Sequence, residues 1–108
     1  MGLGKEKARL EKLLILVSSV EIYDETSFEV LNEALAEYSL VIRVLHKSHP
    51  NVFGNLFNYE LPDIKQNKKF TKNSFSDKAR QDNFIAYKDS IIHASERTIE
   101  YLVEYLHI

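Results

Sequence analysis

Cysteine is missing from this 108-residue chain, and glycine and proline are scarce, at three and two residues. Without cysteine, the chain can form no disulfide, zinc–thiolate site or cysteine nucleophile. Few glycines and prolines argue against a β-rich fold, because tight turns depend on these residues. A glycine-rich loop that cradles phosphate is disfavoured for the same reason. The composition therefore favours helices.

A long apolar run is missing as well. The longest unbroken run, residues 13–17, is far shorter than the ~20 residues that cross a bilayer. The chain is 44% hydrophobic and 28% charged, with a net charge of −2, which is typical of a folded globular domain. We therefore expect one domain over residues 1–108, without a membrane segment, in the cytoplasm. We predict no cofactor.

Apolar residues recur at alternating steps of three and four along most of the chain, which indicates amphipathic helices. The stretch from Phe28 to Leu45 is the most regular. The predicted helices cover about residues 5–23, 27–48, 51–58 and 77–106, with a polar loop over 59–75. The predicted fold class is all-α, an antiparallel bundle of three long helices plus a short helix or turn, which makes four elements.

Three local signals place the helix ends. Thr26 and Glu29 fit a capping box at the start of the second helix, in which each side chain satisfies a free backbone donor. Pro50 disfavours a helical backbone at the residue before it, so the second helix should end near residue 48. Ser76 is suited to cap the last helix.

The last predicted helix is apolar on two sides, which is more than a simple outer helix needs. Its second apolar stripe includes Tyr87, Tyr101 and Tyr105. Tyrosine is favoured at interfaces because it buries a large area and keeps one polar end. Two possibilities remain for what packs against this stripe: residues 50–60 of the same chain, or a second copy of the protein.

Acidic residues gather near the start of the second helix. Glu29, Glu33 and Glu37 are four apart, so they line one exposed ridge. Acids at this end suit the positive end of the helix dipole, which explains part of the pattern without a function. The ridge could otherwise be a docking surface for a basic partner.

The segment 65–80 is strongly basic. Its cations are Lys65, Lys68, Lys69, Lys72, Lys78 and Arg80, against a single acid, Asp77. Phe70 and Phe75 are interleaved with them, and cations combined with aromatic rings are how proteins hold single-stranded nucleic acid. The alternative is a solvated loop that these two rings anchor to the core.

The histidines suggest a metal site only weakly. Two pairs of candidate ligands are each three residues apart: His46 with His49 at the end of one predicted helix, and His93 with Glu96 on another. The two pairs would form one set of ligands only if these helix ends met. His93 and Glu96 fall on the polar stripe of the last helix, where they should face water. We therefore predict no bound metal.

Two short motifs resemble parts of known helical families. Arg43 and His49 have the arginine-to-histidine spacing of HEPN-type ribonucleases, in which the histidine would act as a general acid or base. Val44 follows the arginine, where that family usually has a polar residue. His49-Pro50 and the stretch 57–59 resemble immunity proteins of nuclease bacteriocins, without the tyrosine pair of that family. These motifs assign no family.

The sequence thus predicts a small non-enzymatic interaction or regulatory protein that binds another protein through a helical surface. It could act as an inhibitor or immunity-type factor, and it could also form a homodimer through the C-terminal helix. The alternative is an RNA-directed protein that uses the segment 65–80. In its extreme form this is a HEPN-like ribonuclease with Arg43 and His49 at the cleavage site.

Overall fold

Helices account for nearly all of the protein in the computed structural model, which describes residues 3–108. Met1 and Gly2 of the predicted domain lie outside the described residues. The elements are α1 (Leu3–Ser18), α2 (Glu25–Ser48), α3 (Pro50–Asn55), a π-helical turn (Leu56–Glu60), α4 (Leu61–Lys72) and α5 (Asp77–Leu106). Residues 3–108 contain no strand. The predicted all-α bundle is confirmed.

The core lies around α5, which packs against α1, α2 and α4. α5 buries an apolar face that includes Phe84, Ile91 and Leu102, and α2 contributes Leu31 and Ile42 from the opposite side. The molecule measures 45 × 24 × 18 Å. Its long dimension matches the length of α5, because 30 residues at ~1.5 Å each make ~45 Å. Among residues 3–108, no helix has both the length and the apolar character that crossing a membrane requires.

The first helix ends at Ser18, five residues before the predicted end at residue 23. Ser19 turns its hydroxyl back to the carbonyl of Leu16, at 2.6 Å, and such local bonds compete with helix continuation. The following loop is held by α5, because Lys88 Nζ donates to the Val20 carbonyl at 2.5 Å and Gln81 accepts from the Tyr23 amide at 2.6 Å. These contacts connect residues far apart in the sequence, so the local pattern could not reveal them.

The second helix begins at Glu25, slightly earlier than predicted, and its cap is Asp24. The carboxylate of Asp24 accepts from the Ser27 amide at 2.7 Å. The predicted capping box at Thr26 is therefore wrong, because Thr26 already lies in the first helical turn. The end at Ser48 and the cap of α5 at Ser76, whose hydroxyl accepts from the Ala79 amide at 3.1 Å, agree with the prediction.

The predicted loop over residues 59–75 is wrong over most of its length, because α4 occupies Leu61–Lys72. α3, the π-helical turn and α4 follow one another without a non-helical residue. In the π-helical turn the Leu61 amide donates to the Leu56 carbonyl, five residues earlier. Pro62 stands in the first turn of α4, where its missing N–H removes no required bond. The bundle therefore has a fourth long segment, residues 50–72.

The second apolar stripe of α5 is covered largely within the chain. Tyr87, Ile91, Ala94 and Thr98 are fully buried. The hydroxyl of Tyr87 donates to Asn32 on α2 at 2.8 Å. At these positions, intramolecular packing occupies the stripe and leaves no free surface for a second chain.

Candidate functional site

Four of the predicted nucleic-acid-binding residues, Lys65, Lys68, Lys69 and Lys72, come together on α4. Their spacing of three and four puts them on one side of that helix. This side borders α2, from which α4 diverges enough to leave a groove of about 470 Å³. The groove is lined by Asn32, Leu35, Ala36, Ser39, Lys65, Lys68, Lys69 and Lys72.

The electrostatics of this lysine groove are one-sided. Among the described residues, no carboxylate lines it. None of its four ammonium groups forms an ion pair with another residue in the part of the chain that the structure describes. By contrast, the nearby Lys78 is paired with Asp82 at 3.1 Å. Four close, unneutralised positive charges attract an anionic group.

The α2 side of the lysine groove is apolar at its centre, where Leu35 and Ala36 lie between the polar Asn32 and Ser39. Leu35 is buried at its base and Ala36 is exposed at its outer edge, and lysine side chains add their hydrocarbon stems to such a surface. Asn32 lies at one end with a fixed orientation, because its oxygen accepts from Tyr87 and its nitrogen donates to Glu29 at 3.4 Å. The groove therefore offers apolar contact below and positive charge along one wall.

The two phenylalanines of the basic segment do not join the groove. Phe75 is fully exposed in the turn before α5, and Phe70 is half exposed. A helix turns by about 100° per residue, so Phe70 lies on the far side of α4 from Lys68 and Lys72. Neither ring anchors a loop to the core, and the lysine side of α4 has no aromatic residue among the groove-lining side chains.

Arg80 is separated from the four lysines and holds the turn between α4 and α5. It donates to the Ser74 carbonyl at 2.9 Å and pairs with Asp77 at 3.6 Å. Its guanidinium also lies 5.6 Å from the centre of the Tyr23 ring. These contacts account for Arg80 as a structural residue outside the groove.

The predicted acidic ridge is partly neutralised by α1. Glu37 lies 3.6 Å from the Arg9 guanidinium. Glu33 and Glu37 also line a shallow depression with Arg9 and Lys12. Glu29 stays exposed beyond these cations, and its one side-chain hydrogen bond among residues 3–108 is accepted from Asn32. The three glutamates do not form a uniform acidic surface, because the fold brings cations beside two of them.

The three predicted interface tyrosines have different environments. Tyr87 is buried in the core, and burial, with a smaller contribution from Glu29, raises the pKa of its hydroxyl well above its ordinary value. Tyr101 is half-buried and its ring lies 6.3 Å from that of Phe53. Tyr105 is exposed and packs edge-on against Tyr101, with 5.5 Å between ring centres. Only Tyr105, with the outer edge of Tyr101, is accessible to a partner.

The weak catalytic candidates are not brought into a common site by α2. Arg43 is exposed on the helix, and His49 is half-buried at its C-cap with φ −138° and ψ 69°. Two side chains six residues apart on an α-helix point about 120° away from each other around the helix axis, so Arg43 and His49 point to different sides. His46 stacks on Phe57 with 4.3 Å between ring centres. Within residues 3–108, no three His, Asp or Glu side chains are grouped as ligands for a metal ion.

One polar cluster was not predicted. Arg97 pairs with Glu60 at 3.2 Å and lies 3.2 Å from the His93 ring nitrogen. With Asp63 and Asp89, Glu60 and His93 border a depression of about 310 Å³. The sequence could not indicate this cluster, because Glu60 reaches α5 only through the π-helical turn, inside the segment predicted as a loop.

The described residues thus form an all-α bundle with a cationic, partly apolar surface groove between α2 and α4. Comparison with known proteins gave no significant match to a family profile, a curated protein or a solved structure.

Proposed function

We propose that this is a small non-enzymatic binding protein that holds an acidic, amphipathic helical segment of another protein in the lysine groove. The observation that carries the proposal is the combination of four lysines on one wall, none of them in an ion pair among the described residues, with the apolar side chains of Leu35 and Ala36 beside them. An amphipathic helix binds by laying its apolar face into such a groove, while its acidic edge meets the lysines. The proposal also places the protein in the cytoplasm, and a chain without cysteine is compatible with that reducing compartment.

A protein ligand is favoured over RNA for two reasons. Single-stranded nucleic acid is held by cations together with aromatic rings on which bases stack, and Phe70 lies on the other side of α4 from Lys68. In addition, the chain has a net charge of −2, whereas nucleic-acid-binding domains usually carry a strong excess of positive charge. RNA binding is the outcome that would replace the proposal.

The test uses a designed amphipathic peptide of ~18 residues, about 27 Å of helix, with leucine on one face and glutamate on the flanking positions. A scrambled peptide of the same composition and a labelled RNA oligonucleotide are measured in parallel by fluorescence anisotropy. We expect the amphipathic peptide to bind, the scrambled one to bind at least about tenfold more weakly, and added salt to weaken binding.

The variant Lys65→Glu with Lys69→Glu should reduce peptide affinity by at least about tenfold. Both side chains are exposed, so the fold should tolerate the change. The matched control is Lys5→Glu with Lys78→Glu, which alters the net charge equally at exposed positions outside the groove, and it should bind like the wild type. Absence of peptide binding, or RNA binding that only the groove variant loses, would overturn the proposal.

A further inference from the structure

The outward face of α2 carries a regular stripe that the core does not use. Its exposed residues recur at steps of four and three: Glu29, Glu33, Ala36, Leu40, Arg43 and Lys47. This is the heptad spacing with which one helix lies along another. Leu40 is 53% exposed and the adjacent Val44 is 45% exposed, so the stripe has an apolar centre in contact with solvent.

Charge along this stripe is ordered by sign. The N-terminal half carries Glu29 and Glu33, and the C-terminal half carries Arg43 and Lys47. None of these four side chains forms an ion pair within residues 3–108. An acidic half and a basic half on one helix face are complementary to the same face of a reversed copy.

The spacing of the charged residues along α2 places each acidic residue opposite a basic one in such a pair of helices. When two copies of α2 lie antiparallel with Tyr38 at the centre, positions equally far from Tyr38 in the sequence face each other. Glu29 then faces Lys47 and Glu33 faces Arg43. At the centre, the small Ala36 faces the larger Leu40. A parallel alignment would instead place each charge opposite its own sign, which is destabilising.

We propose that a second copy of this chain docks on the outward face of α2 in an antiparallel, two-fold symmetric dimer. In such an interface each contact occurs twice, so four ion pairs flank the paired Ala36 and Leu40 residues. This differs from a dimer through the C-terminal helix, whose second stripe is largely buried. The two-fold axis lies between the two α2 helices, at right angles to them, and leaves α4 on the same side of α2 in both copies, so the two lysine grooves lie side by side. Because Ala36 also lines the lysine groove, the dimer and a bound peptide share this residue and should compete.

The test is a charge exchange followed by sedimentation velocity at low salt over a range of protein concentrations. The wild type should show a concentration-dependent dimer that added salt dissociates, because the flanking pairs are partly exposed. Arg43→Glu with Lys47→Glu should be monomeric, since each acidic stripe then faces another. Glu29→Lys with Glu33→Lys should be monomeric for the opposite reason.

An equal mixture of these two variants should form a heterodimer, because a fully acidic stripe then faces a fully basic one. The control mixture combines the basic variant with Lys5→Glu/Lys78→Glu, whose net charge equals that of the acidic variant, and it should not form this heterodimer. Circular dichroism confirms that each variant is folded. A wild type that stays monomeric, variants that dimerise like the wild type, or a mixture that does not associate would each overturn the proposal.

The Lys65→Glu/Lys69→Glu variant separates the two proposals. It should lose the acidic peptide and keep the dimer, because Lys65 and Lys69 are on α4. Loss of the dimer in that variant would place the self-contact on α4 and contradict the α2 interface.

Discussion

Tyr38 on α2 and Thr98 on α5 share a hydrogen bond across the core, with 3.0 Å between their hydroxyl oxygens. The Thr98 hydroxyl donates its proton to the Ala94 carbonyl at 2.7 Å. Tyr38 must therefore be the donor, because a hydroxyl group has only one proton. Both side chains are fully buried, so this bond connects the two longest helices where water does not reach.

Removing the two partners of this hydrogen bond should lower the free energy of unfolding by different amounts. Thr98→Val leaves the Tyr38 hydroxyl buried without an acceptor and should lower the free energy of unfolding by about 1–3 kcal/mol. Tyr38→Phe removes the donor and should cost about 0.5–1.5 kcal/mol. Urea unfolding of both variants measures this, and the double variant should cost less than the two changes added together. Additive costs would mean that the hydroxyls are not coupled.

Stability should fall at alkaline pH. Burial raises the pKa of both Tyr38 and Tyr87 above the ordinary tyrosine value. The stabilisation from keeping them protonated is fully present below pH ~10, the ordinary pKa. It is lost as the pH rises above that value, because the unfolded chain then releases these protons more readily than the folded one. Urea unfolding on either side of this pH, together with tyrosinate absorbance, measures the effect. The Tyr38→Phe/Tyr87→Phe variant should lose less stability over this range, and an equal loss would contradict the assignment.

The start of α2 offers a direct comparison of two caps. Asp24→Ala removes the carboxylate that accepts from the Ser27 amide, and it should cost about 0.5–2 kcal/mol. Thr26→Ala should change the stability by less than about 0.5 kcal/mol, as is usual for surface positions. Thermal or urea unfolding of the two variants compares them. A larger cost for Thr26→Ala would favour the capping box instead.

Replacing Ser95 with alanine should stabilise the fold. Its hydroxyl oxygen is buried and has no hydrogen-bond partner among the described residues. Removing an unsatisfied buried hydroxyl and introducing a better helix former should raise the free energy of unfolding by about 1 kcal/mol. Ser90 is the matched control on the same helix, because its hydroxyl donates to the Tyr87 carbonyl at 2.7 Å. Ser90→Ala should bring no such gain, and destabilisation by Ser95→Ala would show that its hydroxyl is satisfied.

The long periodic segments could be predicted from the sequence, because their apolar spacing and ends are local. α5 begins and ends where its pattern and Ser76 indicate. The segment after Pro50 could not be predicted in the same way. Leu56 and Leu61 are both buried, and their separation of five residues breaks the α-helical spacing. With Pro62 and several polar residues following, this break is typical of a loop.

The candidate site was predicted only in part. Lys65, Lys68, Lys69 and Lys72 were identified as a group by their charge, but a groove requires a helix on one side and α2 on the other. Arg80 fell in the same stretch of sequence and lies elsewhere, because α5 has already begun there. The cations near Glu33 and Glu37 come from α1, and contacts between helices have no signature in the local pattern.

The π-helical turn sets which side of α4 faces α2. It accommodates one residue more than an α-helical turn, so the residues after it face as they would in an α-helix one residue shorter. If the same residues formed an uninterrupted α-helix, the additional residue would turn the four lysines by about 100° around the helix axis, away from Leu35 and Ala36. Deleting a single residue from 57–60 would therefore convert the wide turn into an α-helical one and leave the lysines facing α2. The composition of the groove thus depends on how the backbone accommodates one residue at this point, with every lysine unchanged in the sequence.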